Sequence, residues 1–151
     1  MSERGEPRDA APAMPLSKII DVDAPDEFES RLAEGLALAG DPTKCLVLLT
    51  SDAPDGVKWC EDCAEADPVI EDALKTHACG WVVVRAFCKR SDWSLKVDPA
   101  NANGFYRKHD QLKATNLPTL YRWTSQGVGN KLVEADCSKS SHLQLLLDDE
   151  D

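Results

Sequence analysis

Apolar positions along this chain switch repeatedly between a helical period and short continuous runs, and the switching predicts a layered α/β protein. Leu16, Ile19, Ile20 and Val22 read as a short strand, and Phe28, Leu32, Leu36 and Ala39 then recur at helical spacing over residues 25–39. Asp23 is placed to cap that helix, and Gly40 with Pro42 to end it. Residues 44–50 read as a strand built on the unbroken apolar run 45–49, the pattern of a central strand covered on both faces. After a polar loop over 51–58 the helical period returns across 60–77. There Ala64, Val69, Ala73 and Leu74 can face a core while Glu65, Glu71, Asp72 and Lys75 face water. Pro68 inside that span predicts a kink.

Residues 81–87 predict another buried strand, followed by a long polar connection through Trp93 and Asp98-Pro99 and a short helix over 103–111. Residues 119–123 and 131–134 flank Gln126-Gly127-Val128-Gly129-Asn130 as a hairpin, and 138–147 predict a closing helix. The order β-α-β-α-β-α-β-β-α, with a hairpin ending an otherwise crossover-linked sheet, predicts a central mixed β-sheet flanked by helices on both faces. Residues 1–16 mix Ala, Pro and charge and bury too little apolar surface to offset the entropy of ordering. They are expected to be a flexible tail, with 17–151 as one domain.

Charge and composition remove several function classes. A net charge of -10 on 151 residues disfavours tracking a phosphate backbone, so no nucleic-acid partner is expected. No apolar run exceeds strand length, so no membrane span is expected, and the N-terminus has no continuous apolar secretory segment. The expected location is cytoplasmic. Of the six cysteines, four (Cys45, Cys79, Cys88 and Cys137) are scattered and read as small apolar side chains, while Cys60 and Cys63 stand together.

Trp59-Cys60-Glu61-Asp62-Cys63 places two thiols one helical turn apart at the start of a helix. Such a pair can close a disulfide, and the first sulfur lies where unpaired backbone N–H groups and the helix dipole favour an anion. Cys60 is the expected nucleophile and Cys63 the resolving thiol. The same spacing also supplies half of many zinc sites, but His77 and Cys79 are the only nearby further ligands and their spacing matches neither common second half. Glu61 and Asp62 between the cysteines argue against an inert buried pair. No metal and no cofactor are expected. Asn116-Leu117-Pro118-Thr119-Leu120 precedes a predicted strand, and by itself Pro118 reads as an ordinary trans proline of a turn or edge strand.

Taken together, Trp-Cys-x-x-Cys after a buried strand, a helix with an internal proline, and Leu-Pro-Thr before a late hairpin resemble thioredoxins. The extended loop before the motif, Asp62, Trp93 followed by Asp98-Pro99, and Lys131-Leu-Val-Glu-Ala-Asp-Cys137 narrow the resemblance to the thioredoxin domain-containing protein 17, or Clot-like, family. The resemblance spans residues 19–149. It implies a thioredoxin fold and a cytosolic dithiol reductase, recycled by thioredoxin reductase and acting on small disulfides such as cystine and on oxidised proteins. It also implies that Pro118 is a cis-proline facing the thiols and that Leu117 offers backbone hydrogen bonds to an extended substrate. Trp59 would contribute to a substrate platform, although packing against the loop is an equal reading.

Glu61 departs from this family, which has proline there. Its charge and the lost stiffness are expected to tune the site, with Asp62, toward a Cys60 pKa below that of a free thiol but above that of a Trp-Cys-Pro-Asp-Cys relative. Six acids and no base over 61–72 suggest a rim that disfavours anionic disulfides, beside the plainer reading of a solvated helix face. Residues 45–49 carry no carboxylate of the kind thioredoxins bury under the active site, leaving water or Asp62 to take the resolving thiol's proton. A redox-gated interaction module with little turnover is the alternative to an enzyme.

Overall fold

The longest apolar runs of the chain become the inner strands of one five-stranded sheet. A computed structural model describes residues 18–53, 56–77, 80–89, 105–124 and 126–148. Its strands are β1 (Lys18–Val22), β2 (Cys45–Ser51), β3 (Val82–Cys88), β4 (Thr119–Thr124) and β5 (Gly127–Val133), in the spatial order β1-β3-β2-β4-β5. β1, β3 and β2 run parallel, and β4 and β5 complete the sheet antiparallel. All seven residues of β2 are buried, because helices cover both of its faces and neighbours flank both edges.

The alternation along β2 divides the core into two layers. Val47 and Leu49 point with Val84 and Ala86 toward Phe28 and Leu32 of α1 (Phe28–Ala39) and Tyr106 of α3 (Phe105–Lys108). Leu46 and Leu48 point the other way, to Ala66 and Ile70 of α2 (Glu61–His77) and the leucines of α4 (Ser140–Asp148). Gly35 lets α1 sit close to the sheet, since a Cβ there would come 2.7 Å from a Val84 methyl. Arg122 of β4 donates to the carbonyls of Leu146 (3.1 Å) and Leu147 (3.3 Å), meeting the last turn of α4, where carbonyls lack helical partners.

The expected element order and mixed α/β sheet are present, and the departures are local. The short helix ends at Lys108 instead of reaching residue 111, because His109 Nδ1 accepts the amides of Gln111 and Leu112 and Lys113 takes a positive φ of 42°. The hairpin turn is tighter than expected. Residues 127–130, read as loop, belong to β5, held by Val128 N donating to Gln111 Oε1 at 3.0 Å and by the Thr124 hydroxyl donating to Gly127 O. The closing helix starts two residues late, because Glu134–Ser138 forms its own 3-10 turn and Lys139 is extended. Pro68 lies inside α2 without ending it. The tail over 1–16, Cys79, Trp93 and Asp98-Pro99 lie outside the described residues, as does the His77 side chain. No helix among the described residues is long and apolar enough to cross a membrane.

Candidate active site

Cys60 is the N-cap of α2. Its carbonyl accepts the first intrahelical bond from Ala64 N at 3.1 Å, and its Sγ accepts the amide of Cys63 at 3.3 Å. A sulfur thus occupies the place where a Ser or Asp oxygen usually satisfies the third helical N–H, and that amide favours the thiolate. Cys60 is half-buried, whereas Cys63, one turn inward, is wholly buried in the core layer under α1. Only one sulfur of the pair meets solvent.

The opposing wall comes from the loop before β4. The Leu117-Pro118 peptide is cis, and the Leu117 carbonyl lies 3.7 Å from Cys60 Sγ, within reach of the thiol proton. The residues that the sequence put at the site, 57 positions apart, therefore stand side by side. Pro118 O accepts from Glu134 N at 2.7 Å and from the Cys137 thiol at 3.6 Å, and Cys137 also reaches Leu132 O at 3.3 Å. The loop carrying Pro118 is thus fastened to the hairpin behind it. Cys45, Cys88 and Cys137 are buried, in line with the reading of small apolar side chains. Burial pushes the Cys45 thiol up to about 11 and the Cys137 thiol up to about 12.

The electrostatics of Cys60 differ from the sequence expectation. Burial, followed by the facing Cys63 side chain, pushes the Cys60 thiol up to about 12, against the pull of the Cys63 amide. The expected lowering weighed the helix terminus and omitted the shelter given by the neighbouring loops, which periodicity does not show. The acid that raises it is Asp62, half-buried beside the thiol, whereas Glu61 points to water and is screened.

Trp59 is an anchor of the loop. Its indole N–H is shared between Asp52 Oδ1 at 2.9 Å and Cys88 O at 3.0 Å, and its ring packs on the core. The packing reading thus describes its ring, and a half-buried surface is what it offers outward. Lys58 was not singled out by the sequence. Its ammonium donates to Thr50 Oγ1 (3.0 Å) and Ser51 O (2.8 Å) and pairs with Asp67 at 3.1 Å. The acidic stretch over 61–72 therefore has a base after all, supplied from outside the window. Its signal in sequence was only a lone lysine in the loop before the motif.

Comparison with known proteins adds the family. Residues 23–149 match the family described as "Thioredoxin domain-containing protein 17-like, thioredoxin domain". Thioredoxin domain-containing protein 17 of Mus musculus is 36% identical over 98 residues, covering 64% of this chain and 70% of the relative. Thioredoxin-like protein Clot of Arabidopsis thaliana is 33% identical over 121 residues, covering 75% and 84%. Among solved structures, spinach chloroplast thioredoxin f in its long form superposes with a TM-score of 0.53 at 14% identity, covering 87% of this chain and 88% of that one. Oxidised thioredoxin O2 of Arabidopsis thaliana gives 0.51 at 19% identity, covering 86% and 96%. These likenesses establish the thioredoxin fold.

Proposed function

The chain belongs to the thioredoxin domain-containing protein 17-like family, which gives it a thioredoxin fold and a thiol redox role, and from that premise we propose that it is a disulfide reductase. The Cys60 thiolate attacks one sulfur of a substrate disulfide, forming a mixed disulfide and releasing the other sulfur as a thiolate. Cys63, deprotonated, then attacks Cys60 Sγ, expelling the second substrate sulfur and leaving the Cys60–Cys63 disulfide. Two electrons pass to the substrate, and thioredoxin reductase restores the dithiol with electrons from NADPH. The observation that carries this reading is the unequal burial of the two sulfurs, with the reachable one seated on a helix-terminal amide. It supports this order of attack.

The cis loop supports the substrate side of the proposal. An extended segment around the substrate cysteine would lie along Leu117 and Pro118, where the Leu117 carbonyl borders the Cys60 sulfur, while Asp62 or water takes the proton leaving Cys63. Cystine-like small disulfides and oxidised proteins are the proposed substrates. The setting is cytoplasmic, because turnover needs a continuous supply of reducing equivalents. No cofactor is required for exchange between sulfurs.

The raised Cys60 thiol favours a second reading, a redox-gated binding module in which little thiolate forms and turnover is slow. One assay separates the two. NADPH consumption is followed with thioredoxin reductase and cystine, for the intact protein, Cys60→Ser and Cys63→Ser. Turnover by the intact protein and loss of it in both variants is expected. No turnover by the intact, fully reduced protein would give first place to the binding module.

A further inference from the structure

The ring of residues 58–67 is closed by the contact of Lys58 Nζ with Asp67 Oδ2, and both redox cysteines lie inside it. Lys58 directly precedes Trp59-Cys60. Asp67 stands one turn beyond Cys63 on the rigid body of α2. At its other end the same ammonium is fastened to the last two residues of β2 through Thr50 Oγ1 and Ser51 O, and it lies 5.6 Å from the Phe87 ring centre. The Lys58 side chain is only 16% exposed and Asp67 34%, so water weakens the pair far less than it weakens a surface ion pair. Trp59 adds its two indole contacts to the same segment.

Resting on the reductase reading above, we propose that Lys58 and Asp67 are positioning residues that brace Cys60 against Cys63 and thereby set the disulfide-forming tendency of the pair. Between the thiols this chain has Glu61, with a free φ, in the place where proline would stiffen the turn. Stiffness arrives instead from the brace, which joins the strand-loop side holding Cys60 to the helix holding Cys63. Disulfide closure depends on the effective concentration of one sulfur at the other, and that concentration falls when either side of the turn is released. Loosening the brace leaves the dithiol more freedom to lose on closure, so the disulfide becomes less favoured and the pair more oxidising.

The test is the thiol–disulfide equilibrium of the full chain against glutathione redox buffers, for the intact protein, Lys58→Met, Asp67→Asn, the double variant and Lys58→Arg. Each charge-removing single variant is expected to lower the equilibrium constant for the Cys60–Cys63 disulfide about tenfold, or about 30 mV for this two-electron couple. The double variant should do no worse than Lys58→Met alone, because once the ammonium is gone Asp67 has no part of the brace left to lose. Lys58→Arg should restore most of the intact value. Asp67→Asn preserves side-chain shape on a well-formed helix, so it remains informative if Lys58→Met folds poorly.

Lower thermal stability with an unchanged equilibrium constant would overturn the brace and leave a structural ion pair. An additive effect in the double variant would overturn it as well. Failure of the reductase reading looks different: the intact protein itself would form no Cys60–Cys63 disulfide in any buffer, and the brace would fall with it.

Discussion

Exposure of the reduced protein to iodoacetamide at alkaline pH, where the raised Cys60 thiol supplies more thiolate, should label Cys60 well ahead of Cys45, Cys63, Cys88 and Cys137. Cys60 is half-buried with its sulfur at the mouth of the site, whereas the other four are at most 1% exposed. Alkylation of a buried thiol requires local opening. If unwinding the first turn of α2 takes about 3 kcal/mol, Cys63 reacts about a hundredfold more slowly than it would if exposed. Cys45, Cys88 and Cys137, set in strands or behind the cis loop, should be slower still. Acid quenching after timed pulses, digestion and mass spectrometry of each cysteine peptide gives the rates. The companion experiment uses a disulfide probe: Cys63→Ser should accumulate the mixed disulfide at Cys60, and Cys60→Ser should accumulate none. Labelling of Cys63 within tenfold of Cys60 would refute the order of attack, since either sulfur could then meet a substrate.

The charge assignments at the site are testable by pH. Burial, the Cys63 side chain and Asp62 all raise the Cys60 thiol, so Asp62→Asn should move the midpoint of Cys60 alkylation to lower pH, by less than about one unit. Glu61→Gln should move it less, and a larger shift from Glu61 would mean that the exposed acid is the one that acts. Oxidised glutathione carries net negative charge and cystine none at neutral pH, while Glu61, Glu65, Glu71 and Asp72 are exposed along α2. Added salt should therefore speed reduction of oxidised glutathione more than of cystine, and equal responses would remove any selecting role for the rim. Away from the site, the buried Tyr121 hydroxyl donates to Leu112 O at 2.9 Å. Tyr121→Phe leaves that buried carbonyl without this donor and should cost about 1–2 kcal/mol in urea unfolding, with unchanged Cys60 labelling.

Much of this molecule was legible without coordinates. Apolar period alone gives the element order, because a strand covered on both faces must be apolar throughout, as residues 45–49 are, and a helix on one face must repeat every three or four residues, as α1 does. The thiol pair was legible because spacing of two at a helix start dictates both proximity and the amide that faces the first sulfur. The hairpin turn and the short third helix depart from the pattern because Gln111, distant in sequence, holds the start of β5, and because the His109 ring takes the next amides itself, neither of which apolar period records.

Tertiary structure alone decided what surrounds the thiols. Sequence placed Leu117 and Pro118 beside Cys60 only through likeness to a family, since no local rule joins residues 57 positions apart; folding β4 antiparallel against β2 does so. The Cys60 thiol is raised by burial that exists only in the folded chain, with Leu117 facing its sulfur, and Lys58 acquires its acid partner only when the loop after β2 turns back onto α2. Hydrophobic pattern and thiol spacing are local and survive as a one-dimensional record. Burial, charge pairing and the facing wall of a site are properties of segments brought together, and the folded chain is where they first exist.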